Sequence, residues 1–389
     1  MDSFVFENST KVYLGVGCVR EHLAEALAPY GNTVMLVYGG GSIKRNGAYD
    51  DVMAALAAAG KRVVEFPGVM ANPTLAKALE GVAVARAEKV DFILAVGGGS
   101  VIDCSKAISM GAATDKDIWE EYWARKGVVD FEPVPLGTVC TIAGTGSEVN
   151  GGAVLTNEET NVKTDRDYPK CNPRFSMLDP VYTMSAPKLQ MVSSGFDILS
   201  HVMETYFCRP DHENVSDDIM VALMRGIVRD LRASIADPED VDARSNLMWE
   251  SCMAENRIIK CGKELDFEAH QIEHQMSAFT NCIHGCGLAV VHPVYYRHVC
   301  EDGLVKFCRF AERVWDIPRD GKTDSELAHA GVESLADFIK EIGLPTTLAE
   351  LGIPEDDETL RTIAESVNQG GGYRSLDTEE IFQILCECR

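Results

Sequence analysis

The sequence predicts an α/β domain built on a parallel sheet, followed by an all-helical domain. In the first half, short apolar runs alternate with helical patterns, an order that is typical of βαβ units in a parallel sheet. After about Pro187, long segments with helical periodicity replace the apolar runs and indicate helices packed on one another. We therefore predict an α/β domain over residues 1–185 and an all-helical domain over residues 186–389.

The individual elements follow from the same patterns. Short apolar runs predict strands at 33–38, 61–66, 90–96 and 135–140, and the first of them is expected to be buried. Helices are expected near 46–59 and 74–88, and from Val101 onward. In the second half, the longest helical patterns cover 193–208, 214–236, 240–260 and 322–342.

Composition limits the partners of the chain. The formal net charge is −24, with 60 acidic against 36 basic residues, which disfavours nucleic acid and anionic membranes as partners. No apolar stretch reaches the roughly 20 residues that a membrane span needs, and no signal peptide is expected at the N-terminus. The 13 cysteines are scattered without any CxxC pair, so we expect a reducing, cytoplasmic location.

Two GGGS segments, 39–42 and 97–100, each lie where a predicted strand ends and a helix begins. Glycines there let the backbone approach a phosphate, and the free N–H groups of the following helix bind it. A third run over 141–148 adds glycines and hydroxyls after another strand. We interpret these turns as a dinucleotide site, with purely structural turns as the alternative. The partial fingerprint at 15–17 lacks a third glycine and is interpreted as non-binding.

The first GGGS segment also indicates which cofactor is bound. Sites for NAD usually carry a carboxylate at the end of this strand, whereas NADP sites carry small and basic residues. Here Ser42 is followed by Lys44 and Arg45, and no acid occurs before Asp50. This pattern favours NADP(H), unless Lys44 and Arg45 are simply solvated surface residues.

The second half carries a set of potential metal ligands. Asp197 and His201 are four residues apart in a predicted helix, His270 and His274 repeat that spacing, and His284 follows. Residues four apart share one helix face, and a carboxylate with imidazoles suits divalent first-row metals. Each pair alone could be an ordinary hydrogen bond, but four of the nine histidines fall into this pattern.

Two other metal sites remain as alternatives. His270 to His274 matches H-x-x-E-H, in which both histidines bind zinc and the glutamate is the general base of a peptidase. Cys282 and Cys286 flank His284 and suggest a thiolate zinc site, although they lack the usual spaced partners.

Four motifs in combination resemble the iron-containing alcohol dehydrogenase family. They are GGGSxxDxxK over 97–106, TxxGTGSE over 141–148, GxDxxxHxxE over 195–204 and HxxxH-x9-HG over 270–285. Segments 38–47 and 178–183 are most similar to its NADPH-dependent butanol dehydrogenase and aldehyde reductase branch. The resemblance covers essentially the whole chain. Phe267 departs from it, because the family commonly has an indole there, which leaves the shape of the substrate pocket open.

The resemblance implies one divalent ion, Fe2+ or Zn2+, and NADP(H). The implied metal ligands are Asp197, His201, His270 and His284, with His274 as a catalytic neighbour on the proton path. The implied pyrophosphate site is Gly98, Gly99 and Ser100, and the implied 2′-phosphate site is Gly40, Gly41 and Ser42. Further implied nucleotide contacts are Asp103, Thr141, Ser147, Asn150, Lys163 and Tyr182. A homodimer is implied as well.

The expected reaction is the interconversion of small primary alcohols and aldehydes. A lyase of the dehydroquinate synthase type shares the implied architecture and also uses NAD and a metal. A metallopeptidase would need no nucleotide, and a non-catalytic metal-binding protein would show neither cofactor binding nor turnover.

Overall fold

A computed structural model describes residues 3–265, 267–368 and 372–389. The strands are β1 (Lys11–Leu14), β2 (Thr33–Tyr38), β3 (Arg62–Phe66), β4 (Phe92–Gly97), β5 (Leu136–Cys140), β6 (Gly152–Asn157), β7 (Val162–Asp167) and β8 (Phe175–Leu178). The helices of the first half are α1 (Cys18–Leu27), α2 (Ser42–Arg45), α3 (Ala48–Ala58), α4 (Leu75–Ala87) and α5 (Gly99–Ala112).

The second half is helical throughout the residues described. Its helices are α6 (Lys188–Tyr206), α7 (Val215–Ala236), α8 (Val241–Glu255), α9 (Glu268–Thr280), α10 (His284–Val299), α11 (Leu304–Arg313), α12 (Asp324–Glu341), α13 (Leu348–Leu351), α14 (Asp357–Ser366) and α15 (Thr378–Glu387). The α/β fold followed by an all-helical part is confirmed. None of these helices is both long and apolar enough to cross a membrane.

The main sheet has six parallel strands in the order β1-β8-β5-β4-β2-β3. Alternate residues of the central strands enter two different apolar cores, as Ile93 and Leu94 do on β4. Helices α4 and α5 cover one face, and α1 and α3 cover the other. This burial on both faces explains why β2 and β4 are almost wholly apolar, whereas the edge strand β3 exposes Arg62 and Glu65.

The structure contains four strands that the sequence pattern did not predict. Strands β1 and β8 have four residues each, and β1 lies half-exposed at the sheet edge, so neither produces a long apolar run. Strands β6 and β7 form a separate antiparallel hairpin, and five of the six residues of β7 (VKTDRD) are polar.

The chain divides into two compact units. The sheet unit contains Glu7–Pro187 and also Asp237–Asn256, and the helical unit contains Lys188–Ala236, Arg257–Arg389 and the N-terminal residues up to Phe6. Helix α8 joins the sheet unit because it packs on the short turns 147–149 and 180–183. The predicted single boundary at 185/186 stays a prediction, since these units are defined by packing and are discontinuous in sequence.

Candidate metal centre and nucleotide-binding edge

Asp197 lies at the centre of a buried cluster in the helical unit. It shares one face of α6 with His201, and its Oδ1 lies 3.8 Å from His201 Nδ1. His270 from α9 and His284 from the start of α10 approach the same oxygen, at 3.7 and 3.5 Å from their Nε2 atoms. The structure therefore brings one carboxylate oxygen and three imidazoles together around one point.

Glu204 fixes the orientation of His270. One of its carboxylate oxygens accepts the hydrogen bond of His270 Nδ1, and the other accepts the backbone N–H of Ala269 at 2.8 Å. Because a carboxylate accepts at this contact, one hydrogen sits on Nδ1. Nε2, which faces Asp197, is therefore the nitrogen that a cation can bind in place of a proton. Outer carboxylates commonly orient metal-binding histidines in this way.

Glu273 performs the same task for His284. Its Oε2 accepts from His284 Nδ1, and its Oε1 accepts from the hydroxyl of Ser277 one turn further along α9. Nε2 of His284 is thereby turned towards Asp197. Glu204 and Glu273 are both fully buried side chains.

The charges of the cluster depend on one another. Burial by itself would raise the pKa of Asp197, but the imidazoles around it hold that pKa well below its usual range. Burial would lower the pKa of His270, yet the Glu204 and Asp197 carboxylates raise it to about 10. Without a cation, His270 therefore keeps its second proton at neutral pH.

The donor set fits a divalent ion. Asp197 Oδ1 and His270 Nε2 are buried and have no hydrogen-bond partner among the described residues. Unpaired polar atoms cost free energy in a protein interior, and a shared cation satisfies both at once. One carboxylate and three imidazoles suit Fe2+ or Zn2+.

Two glycines permit this close approach of the helices. A Cβ on Gly285 would lie 2.1 Å from the backbone oxygen of Ser193, so α10 can reach α6 only with glycine there. A Cβ on Gly195 would lie 2.5 Å from Leu231 on α7. Gly285, beside His284, is therefore required by packing, whereas a side chain at Gly195 could be accommodated by a shift of Leu231.

His274 lies beside the cluster. Its ring is buried, with its centroid 5.6 Å from that of His284 and 6.1 Å from that of His270. Among the described residues, the histidines in ion-pair range of Asp197 are His201, His270 and His284. His274 thus occupies the position of a neighbour that can exchange protons.

The geometry disfavours both alternative metal sites. In the H-x-x-E-H interpretation Glu273 would activate water, but its carboxylate oxygens accept from His284 and Ser277. Cys282 and Cys286 belong to none of the metal-type ligand groups found among the described residues. Burial raises the pKa of Cys286 to about 11, so it stays a thiol.

The predicted nucleotide-binding turns lie side by side in the sheet unit. Strand β4 pairs with β2 on one side and with β5 on the other, all in parallel. Segments 39–42, 97–100 and 141–148 therefore leave the same edge of the sheet, at three adjacent strand ends. This is the edge where open parallel sheets bind ligands.

The two GGGS turns differ in how tightly they are packed. A Cβ on Gly98 would lie 2.5 Å from Ile142, and one on Gly99 would lie 2.4 Å from Thr145. Around Gly40 and Gly41 nothing lies within 4 Å of such a Cβ, and Gly41 has a φ of 102°. The second turn is therefore tightly packed, whereas the first faces open space.

Asp103, Ser147 and Asn150 join in a buried network centred on Lys106. The Lys106 ammonium donates to Ser147 Oγ at 2.6 Å and to Asn150 Oδ1 at 3.3 Å, and Ser147 Oγ donates to Asp103 at 2.6 Å. Burial raises the pKa of Asp103 and lowers that of Lys106. These contacts attach the loop after β5 to α5, a role for Lys106 that its motif position did not reveal.

Helix α8 supports the third turn, which the sequence did not predict. The hydroxyl of Ser251 accepts the backbone N–H groups of Gly144 and Gly146 at 3.2 and 3.1 Å. Those two N–H groups are thereby occupied within the protein. Thr141 starts this loop, with its N–H bonded to Gly97 at 3.0 Å.

The remaining predicted nucleotide contacts lie on other elements. Lys163 is buried on β7 of the hairpin, outside the main sheet. Tyr182 follows β8, and its hydroxyl donates to Asp51 at 2.6 Å. At the partial fingerprint 15–17, the Gly17 N–H is bonded to Asp179 at 2.8 Å, so a side chain of the protein already occupies it.

Lys44 lies near an acidic residue, Glu65, which is distant from it in sequence. Its ammonium lies 4.5 Å from the ring centroid of Tyr49 and 5.2 Å from that of Tyr38. Both tyrosine hydroxyls donate to Glu65 of β3, at 3.0 and 2.6 Å. The hydrogen bond from Tyr38 lowers the pKa of Glu65, which therefore carries a negative charge near Lys44.

Two family models together match nearly the whole chain. Residues 9–180 match "Iron-containing alcohol dehydrogenase", and residues 191–388 match "Fe-containing alcohol dehydrogenase family, C-terminal". The resemblance inferred from the four motifs is confirmed.

Individual relatives agree with this match over their full length. The chain is 40% identical to a probable NADH-dependent butanol dehydrogenase of Bacillus subtilis, over 99% of each chain. It is 31% identical to an NADPH-dependent aldehyde reductase of Escherichia coli, over 95% of this chain and 94% of that one. The crystal structure of an NADH-dependent butanol dehydrogenase from Thermotoga maritima is 35% identical, with a TM-score of 0.94, covering 100% of this chain and 99% of that one.

Replacing Glu204 with glutamine tests whether it orients His270. We expect Glu204→Gln to weaken Fe2+ or Zn2+ binding by about 10-fold or more, because a neutral amide oxygen accepts the Nδ1 hydrogen more weakly than a carboxylate does. Competition with a chromophoric chelator measures this affinity. The control is Glu333→Gln, which removes only a surface pair with Arg297. Equal metal affinity of the Glu204 variant and the wild type would contradict the assignment.

Proposed function

The chain belongs to the iron-containing alcohol dehydrogenase family, and we propose that it interconverts primary alcohols and aldehydes with NADP(H) and one Fe2+ or Zn2+ ion. Family membership makes it a metal-dependent oxidoreductase of alcohols and aldehydes. The observation that carries the proposal is the position of three imidazoles within 3.8 Å of one buried carboxylate oxygen. The proposed metal ligands are Asp197, His201, His270 and His284.

The protein residues position and polarise the substrate. A divalent ion supplies Lewis acidity and a nicotinamide supplies or accepts the hydride when each is bound. Glu204 and Glu273 keep the imidazoles of His270 and His284 oriented, so the ligand set needs little rearrangement during turnover. His274 donates the proton to the oxygen that becomes the alcohol hydroxyl, because an imidazole exchanges protons near neutral pH.

The three strand ends of the sheet unit bind the nucleotide in this proposal. Gly98, Gly99 and Ser100 open helix α5 and hold the pyrophosphate with backbone N–H groups. Gly40, Gly41 and Ser42 face open space and accept the 2′-phosphate. Contacts from later elements come from Thr141, Lys163 and Tyr182, and the network of Asp103, Ser147 and Asn150 holds the loop after β5 in place.

The substrate class follows from the family and from the chemistry of the cluster. The similar relatives are named for butanol and for aldehydes, which supports short primary alcohols and their aldehydes. No particular alcohol follows from this, so a panel of substrates is required.

The proposal is tested by NADPH oxidation with a panel of short aldehydes, followed by absorbance. We expect activity to be lost after chelation and to return when iron or zinc is added back, because the cluster holds the required cation. If the metal-replete protein binds NADPH but none of the aldehydes supports NADPH oxidation, the lyase interpretation replaces the proposal. If it binds no nucleotide, the sheet unit has another role.

His274→Ala tests the proton path. We expect turnover to fall by about 100-fold or more, while the protein retains one equivalent of metal. The control is His298→Ala, which removes a surface contact with Glu387 at the end of α10. Loss of metal from the His274 variant would instead place His274 among the ligands.

Cofactor preference is tested by comparing kcat/KM for NADPH and NADH. Both oxygens of Glu65 already accept tyrosine hydroxyls, and Lys44 and Ser42 are exposed, so we expect NADPH to be the better cofactor. Lys44→Ala should reduce efficiency with NADPH by about 10-fold and spare NADH, because only the former loses a charged contact.

Lys61→Ala is the matched control, since Lys61 precedes β3 at the opposite edge of the sheet and bonds to Tyr30. Equal efficiency with both cofactors would remove the role given to Ser42 and Lys44. The names of the similar relatives include both cofactors, so this ratio has to be measured.

A further inference from the structure

A second group of metal-type ligands lies in the helical unit. Cys300, Glu301 and His329 each place one donor atom within 4.8 Å of the other two. The group shares no residue with the cluster around Asp197. It combines a sulfur, an oxygen and a nitrogen donor, which are the three donor types found in protein zinc sites.

Two elements bring these residues together. Cys300 and Glu301 open a short 3-10 turn, Cys300–Gly303, directly after α10. His329 lies near the start of α12, whose first turn is fixed by a capping box between Thr323 and Glu326. The turn packs against α12, so the backbone fixes the distance between the two elements that supply the donors.

The spacing of the donors matches a shared ion. Zinc binds sulfur at about 2.3 Å and imidazole nitrogen at about 2.0–2.1 Å, so tetrahedral ligands lie about 3.6 Å apart for sulfur and nitrogen. Cys300 Sγ lies 3.6 Å from His329 Nε2, which is the expected separation of two such ligands. It also lies 3.7 Å from Nδ1, beside the ring rather than in line with the Nε2 lone pair, so ion binding requires the half-exposed imidazole to rotate. His329 Nε2 lies 3.2 Å from Glu301 Oε1, close to the roughly 3.3 Å expected for two ligands of that length.

The group is open to solvent on one side. The side chains of His329 and Glu301 are 43% and 53% exposed, whereas Cys300 is buried. An ion can therefore enter from solution and keep a water molecule as its fourth ligand. Burial raises the pKa of Cys300 to about 11, so a metal must displace the thiol proton into solvent as the sulfur–metal bond forms.

We propose that Cys300, Glu301 and His329 form a second divalent-metal site of zinc type, separate from the reaction centre. The bound ion would link the turn after α10 to α12, since the ligands come from both elements. The site does not depend on the proposed reaction or cofactor, because none of its residues belongs to the Asp197 cluster.

The alternative is a hydrogen-bonded triad without metal. In that case His329 donates to Glu301, and the Cys300 thiol makes only weak contacts with the imidazole and with the Arg297 backbone oxygen, at 3.7 Å. A sulfur that is nearly equidistant from both ring nitrogens favours neither as a hydrogen-bond acceptor. Metal uptake distinguishes the two interpretations.

The test adds Co2+ to the purified protein that carries its resident metal. A thiolate bound to Co2+ gives a near-ultraviolet charge-transfer band, and the Asp197 cluster offers no sulfur that could produce it. We expect the wild type to show this band and to take up one additional equivalent of Co2+ or Zn2+. Cys300→Ser should lose both the band and the additional equivalent.

Two variants complete the design. His329→Gln changes a half-exposed side chain, so it should fold normally and still lose the additional equivalent. Cys308→Ser on α11 is the control, because that cysteine is buried outside the group and should leave the band unchanged. A band that persists in Cys300→Ser, full uptake by His329→Gln, or no additional uptake by the wild type would each overturn the proposal.

Discussion

The buried carboxylate of Asp197 is the constraint on which the helical unit depends. A charged group removed from water is costly unless opposite charges and hydrogen-bond donors surround it. Here α6, α9 and α10 each direct at least one imidazole at the same oxygen, and Glu204 and Glu273 hold two of those imidazoles in place. The close contact of Gly285 with the α6 backbone is a consequence, because any side chain there would push His284 away.

The sheet unit handles polar groups differently. The edge of the sheet at which its adjacent strands end consists mainly of backbone. The two buried charged residues of α5, Asp103 and Lys106, are both bonded to Ser147 in the loop after β5. Backbone N–H groups can hold an anionic ligand without a cationic surface, which is consistent with a chain of net charge −24. In the proposed function, the sheet unit therefore recognises the polyanion and the helical unit binds the cation.

The features that could be predicted are those that a single strand or helix shows by itself, such as an apolar run or a four-residue spacing. Strands β2 and β4 have long apolar runs, and the four-residue spacing of Asp197 with His201 is visible within one helix. The missed parts depend on contacts distant in sequence: β1 pairs with β8 across the sheet, and Glu204 reaches His270 from 66 positions away. Glu204 ends the motif over 195–204 and continues the helical face of Asp197 and His201, but its partner His270 could not be identified from the sequence.

Helix α8 belongs to the sheet unit although helical-unit segments precede and follow it in the sequence. During synthesis, the sheet and its glycine turns leave the ribosome before Ser251, the residue that holds the turn of Gly144 and Gly146. That turn can therefore reach its final hydrogen bonding only after Lys188–Ala236, including Asp197 and His201, has been made. Segments of the two units are therefore synthesised alternately. No single continuous piece of the chain contains either unit with all of its contacts.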